Sequence, residues 1–170
     1  MQADIEGAVR VARNARAFTW TWAQDDIERF ALDVGWTVLD QGDYGSASLS
    51  TTLRVNLNRG SSYSNRRYIR GTAGRDESLE RLTANITDVT RHPNEMLTAA
   101  LSSSFDLLAE RLTREFGPSN HFEPKPEAEI GWVDRNVVIN FVAHKTYLLL
   151  EIVNPRYWME RHEFDDEDAD

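Results

Sequence analysis

The side chains best suited to proton transfer or metal ligation near neutral pH are four histidines, His92, His121, His144 and His162. No two stand at the spacing with which one helix or turn presents two imidazoles to one ion, so a metal centre would have to be assembled by tertiary approach. No metal site and no cofactor are expected. Nucleophilic catalysis has equally little to draw on: there is no cysteine and no Gly-x-Ser-x-Gly turn, and Ser102-Ser103-Ser104 reads as the polar face of a helix. Gly71-Thr72-Ala73-Gly74 lacks the Lys-Ser/Thr pair and following helix of a phosphate loop, so it reads as a turn. Among the carboxylates, Asp25 and Asp26 stand where a helix should start, and Asp88 is the one whose burial would matter. These observations point to a non-enzymatic protein.

Residues suited to binding are easier to find. Arg59, Arg66, Arg67, Arg70 and Arg75, interleaved with Tyr63 and Tyr68, form the one basic cluster. Guanidinium groups with aromatic neighbours can meet phosphates and stack on bases. The sequence pI of about 4.9 and an acidic C-terminus oppose that use, so nucleic acid is disfavoured and a protein surface is expected. Trp20 and Trp22 share one side of an extended connector, and exposed tryptophans are frequent binding hot spots, although a lid over the core explains them too.

The elements that must carry these residues follow from apolar spacing. Ile5, Ala8, Val9, Ala12 and Ala15 form a helical stripe within residues 4–18. A second short helix opens at Asp25, with Glu28 completing a capping-box pattern, and stops at Gly35. Strands are expected at 36–39 and 46–57, the latter with Ala47, Leu49, Thr51, Leu53, Val55 and Leu57 on one face. A polar loop over 59–65, a short edge strand at 66–70 and a strand within 79–90 follow. The longest helix runs from about Pro93 to Phe116, ended by Gly117-Pro118, and His92 is placed to cap it. After a Pro-rich loop over 121–128, three strands at 129–133, 136–143 and 147–153 make a meander, which Asn154-Pro155 breaks. The expected fold class is α+β: an antiparallel sheet of about six or seven strands, a long helix on one face and two shorter N-terminal helices.

The 170 residues suit one domain, over 1–159, and 41% apolar composition supports a core without disulfides. Of the net charge of −9, −6 lies in the last eleven residues, 160–170, which read as a disordered acidic tail. Residues 1–18 mix charge throughout and do not read as an export signal. The apolar run Val137–Val153 is interrupted by Asn140, His144, Lys145 and Glu151, so it does not read as a membrane span. A cytoplasmic protein with no membrane partner is expected.

Phe18-Thr19-Trp20-Thr21-Trp22, followed by Asp25-Asp26 and then Leu32 to Trp36, resembles the opening of small actinobacterial immunity-type proteins. In these, Trp-x-Trp precedes a short helix ending in Gly-Trp. Leu148-Leu149-Leu150-Glu151-Ile152-Val153-Asn154-Pro155 looks like their final strand. The resemblance implies a cytosolic antitoxin that neutralises a secreted polymorphic toxin, such as an NAD-degrading one, by stoichiometric binding. The order of elements is also similar to small secretion chaperones, which would make the partner an export substrate. The matched motifs are structural and carry no functional residue across. From the residues themselves, the expected partner-facing set is Trp20, Trp22, Arg59, Tyr63, Arg66, Arg67, Tyr68 and Arg70. An enzyme whose site is assembled from scattered residues stays open as a further reading; a pocket holding His92, His121 or His144 beside an inward carboxylate would favour it.

Overall fold

The structure, a computed structural model, describes residues 1–42, 46–64, 78–124 and 127–167, with side chains through 162. Helix α1 (Ile5–Ala17) is capped by Asp4, whose carboxylate accepts the Gly7 N–H at 3.1 Å. Helix α2 (Asp26–Val34) ends on Gly35 at φ 74°, a conformation that favours glycine. The expected capping box does not form, since Asp25 makes no side-chain cap bond. Asp26 is fully buried instead, and one of its oxygens accepts the N–H groups of Thr21 and Trp22, each at 2.7 Å. Arg29 lies 2.5 Å from the other oxygen, which supplies the partner that a buried carboxylate needs.

Four strands follow: β1 (Thr37–Gln41), β2 (Ala47–Ser50), β3 (Arg59–Ser64) and β4 (Leu79–Asn85). The single strand expected over 46–57 is therefore cut short, and β3 replaces all but the last residue of the polar loop expected over 59–65. The chain turns back after β2 because other groups capture its backbone. The Thr51 N–H donates to the Asn58 carbonyl at 2.9 Å, and the N–H groups of Arg54 and Asn56 donate to the carboxylates of Asp4 and Asp88 at 2.8 Å each. Apolar alternation persists through this loop, which is why it imitates a strand. The edge strand expected at 66–70 lies outside the described residues.

Helix α3 (Glu95–Phe116) starts two residues after Pro93, the expected first residue. Asn94 is the cap, accepting the Leu97 N–H at 2.8 Å, and exposed His92 stands clear of it. Then come β5 (His121–Glu123), β6 (Glu129–Val133), β7 (Val138–Ala143) and β8 (Leu148–Val153), followed by α4 (Pro155–Glu167). β5 falls in the expected Pro-rich loop. Helix α4 overrides the disorder expected from residue 160 as far as Glu167; Pro155 opens it at the position where a missing N–H costs nothing. The Asn154 side chain accepts the Arg156 N–H at 3.0 Å, completing that start.

The fold is α+β, with one antiparallel sheet of eight strands, one more than the upper expectation, in the order β1-β2-β3-β4-β8-β7-β6-β5. The register sorts side chains into two unlike faces. One lateral row reads Val38, Leu49, Gly60, Ala84, Leu150, Phe141, Ile130, and its neighbour reads Ala47, Ser62, Leu82, Ile152, Ile139, Trp132. This face forms the core with α1, α2 and α3. Fully burying a Leu, Ile or Phe contributes about 2–3 kcal/mol, so this layer dominates stability. Among the described residues no helix is long and apolar enough to cross a membrane.

Candidate functional site

The opposite face carries a polar row across all eight strands: Asp40, Ser48, Ser61, Thr83, Glu151, Asn140, Gly131, His121. Strand residues two apart share a face, so the flanking rows follow. One runs from Tyr63 through Arg81 and Val153 to Val138 and Val133, the other from Asn85 through Leu149 and Val142 to Glu129 and Glu123. Trp158 of α4 is buried on Val138 and Val153, so the helix roofs one end of this face. What remains is a cleft of about 780 Å³.

Its floor is a buried acid–amide network. Asn140 has no exposed surface, and its Nδ2 donates to Glu129 Oε1 at 2.8 Å and to Glu151 Oε2 at 3.0 Å. Both carboxylates are buried and can only accept, so the amide nitrogen must face them. Arg81 donates to Glu151 at 2.9 Å, and the Arg161 guanidinium lies 3.9 Å from each glutamate, which offsets the two like charges. The same Arg81 lies over the Tyr63 ring, 4.6 Å from its centroid. Burial, then the Tyr63 phenol and the Glu127 and Glu151 carboxylates, push the Tyr147 phenol above its ordinary value and keep its hydroxyl a donor.

Three buried polar atoms on or beside this floor have no hydrogen-bond partner among the described residues: Asn140 Oδ1, His121 Nε2 and Arg81 Nε. Buried polar atoms are satisfied in the great majority of cases, so these three set the polar face apart, and of the three residues Arg81 lines the cleft itself. Gly131 lets Asn140 and His121 approach β6 closely, because a Cβ there would stand 3.3 Å from Asn140 Oδ1 and 3.4 Å from His121 Cβ.

Of the residues expected to face a partner, Arg59 and Tyr63 line the cleft on β3. Arg66, Arg67, Tyr68 and Arg70, with Arg75, lie outside the described residues. Trp20 and Trp22 are half-buried, stacked at 4.6 Å, and packed on the core. Their indole N–H groups donate to the carbonyls of Ala15 and Asn136, at 2.7 and 3.0 Å. Trp22 adopts φ 61°, strained for a bulky residue and held by Asp26. These tryptophans are accounted for as a lid. Asp88 is half-buried and serves two backbone N–H groups, those of Gln2 and Asn56. The floor residues Glu129, Asn140 and Glu151 were not among the expected site residues, and neither was Glu123 at its edge; His121 and His144 were named only as histidines that an inward carboxylate would make candidates, and His144 lines the cleft.

Fold and cleft define the class: an α+β protein with α1, α2 and α3 on one sheet face and, on the other, a charged cleft roofed at one end by α4. The chain belongs to a family of unknown function, DUF6301, whose profile matches residues 6–154. That span holds all eight strands and the cleft floor, and ends before α4. Comparison with curated proteins and with solved structures returned no match.

Proposed function

We propose that the protein is a non-enzymatic, cytoplasmic immunity-type protein that neutralises a cognate protein toxin, and that the cleft receives a segment of that toxin. The observation that carries this reading is the separation of charge across the cleft. Arg59 and Arg81 stand on the β3–β4 bank, and Glu123, Glu127 and Glu129 on the β5–β6 side. A polypeptide segment bearing both signs finds its complement there without any reaction centre. The Trp-x-Trp opening and its resemblance to immunity-type proteins support the same reading.

The test is isothermal titration with the protein encoded by the neighbouring gene, paired with growth rescue on co-expression. We expect a one-to-one complex and rescue. Reversing two rim charges, Arg59→Glu with Glu127→Arg, should weaken binding by about tenfold or more, mostly through slower association. Leu32→Ser, on an exposed position of α2 at 83% exposure, should leave it unchanged. Rescue without a complex, or a complex indifferent to the rim charges, overturns the proposal. Binding of an exported protein without rescue supports the chaperone reading instead.

One arrangement favours a second reading, an enzyme. His121 lies 3.5 Å from buried Glu129, the histidine–carboxylate pairing that general acid–base chemistry uses. Turnover of a small molecule that Glu129→Gln abolishes, with the fold intact, would establish it in place of the first.

A further inference from the structure

We infer that His121, Glu123 and His162 form a binding site for one divalent first-row transition-metal ion, of the zinc class, at the edge of the cleft where α4 meets β5. The three side chains come from two distant elements, and a ligating atom from each lies within 4.8 Å of the others. Ligand atoms about 2.1 Å from a tetrahedral ion stand about 3.4 Å apart, so small side-chain rotations close the set. His121 and Glu123 share a strand face at a spacing of two, which aims both at the helix above.

Two further observations point to an ion and not to chance proximity. His121 Nε2 is buried with no hydrogen-bond partner, yet stands 3.8 Å from Glu123 and 3.5 Å from Glu129. A nitrogen lone pair turned toward carboxylates and left unsatisfied is the arrangement a cation would complete. His162 is already oriented as metal-ligating imidazoles are, with Nδ1 2.8 Å from the Trp158 carbonyl, so that Nε2 is the nitrogen left to ligate. Trp158 fixes both rings, stacking on His162 at 4.1 Å and meeting His121 edge-on at 4.9 Å.

The donor set selects the ion. Two imidazoles and one carboxylate suit zinc, cobalt or nickel, whereas calcium and magnesium demand oxygen ligands. Three protein ligands leave a coordination position for water or a partner's donor atom. The ion would also pin α4 to the sheet edge. His162 lies beyond the span matched by the family, so the site joins a strand within that span to a helix after it. The inference is independent of what the cleft binds.

The experiment is titration of chelator-stripped full-length protein with Co²⁺ and Zn²⁺, reading visible absorption, stoichiometry and thermal midpoint. We expect one equivalent bound, a cobalt band of four- or five-coordinate intensity, and a midpoint that rises with zinc. His162→Gln, half-exposed on the helix, and His121→Gln should each weaken binding at least about tenfold. His92→Gln should not. Should His121→Gln fail to fold, His162→Gln decides alone. Absence of binding, or binding and a cobalt spectrum that His162→Gln leaves intact, overturns the proposal.

Discussion

Asp4 shows how much one side chain can hold. Its carboxylate caps α1, accepts the Arg54 backbone N–H at 2.8 Å and receives the Arg54 guanidinium at 3.0 Å. Burial on its own would raise the Asp4 pKa; the Arg54 side chain, the Arg54 and Gly7 backbone N–H groups and the Arg54 charge outweigh it and hold the carboxyl below its ordinary value of 3.8. A depressed pKa contributes stability that is full above the unfolded value and lost as pH falls through the folded one. Asp4→Asn should therefore cost about 2 kcal/mol in urea unfolding at pH 6, and the gap between variant and parent should shrink below pH 3.8. A gap unchanged at pH 2.5 would refute this account. The sequence displayed Asp4 only as a helix start; its partner lies fifty positions away in a loop that reads as a strand. The cleft floor was hidden differently. Asn140 and Glu151 were visible as interruptions of an apolar run, which excluded a membrane span, but that they meet required the β7–β8 register. His121 and Glu123 had a legible signal, the spacing of two, masked by the prolines around them.

At the scale of elements, periodicity located what packs on the core. Helices α1, α2 and α3 and strands β6, β7 and β8 stand within a few residues of expectation, because each buries a regular apolar face. β3 and β5 escaped notice because Arg-Gly-Ser-Ser-Tyr-Ser and His-Phe-Glu present polar residues to the cleft. Helix α4 was concealed by Pro155, read as a breaker where it is a first residue, and by the carboxylates that follow. The docking of this helix depends on Trp158, 5% exposed on Val138 and Val153. Trp158→Ala should remove about 3 kcal/mol of docking energy. Hydrogen exchange of the α4 amides should then accelerate about a hundredfold, while β4 and β8 stay protected. Uniform acceleration across the sheet would show instead that the helix is part of one cooperative unit.

For the molecule as a whole, the sheet is two meanders side by side. Strands β1 to β4 neighbour one another in chain order, as do β5 to β8, and only β4 and β8 join the halves. The charge that lines the cleft largely follows this division, with Arg59 and Arg81 on the first half and Glu123, Glu127, Glu129 and Glu151 on the second, where Arg161 of α4 joins them. Fold class and helix count of the N-terminal half were legible because hairpins are local; the junction was not, since Arg81 and Val153 pair from far apart in sequence.

That single junction makes the chain divisible. Each meander carries its own hairpins, so a cut between α3 and β5, near Ser119, severs no strand pairing; the two pieces meet through the β4–β8 ladder and through α1 and α3, which pack on β7 and β8. Fragments 1–118 and 119–170 produced together should reassociate into a complex with the circular dichroism spectrum of the intact chain, and failure to do so would mean that the seam must be closed in cis. A protein so built is a ready two-part reporter, restored only when its halves are brought together.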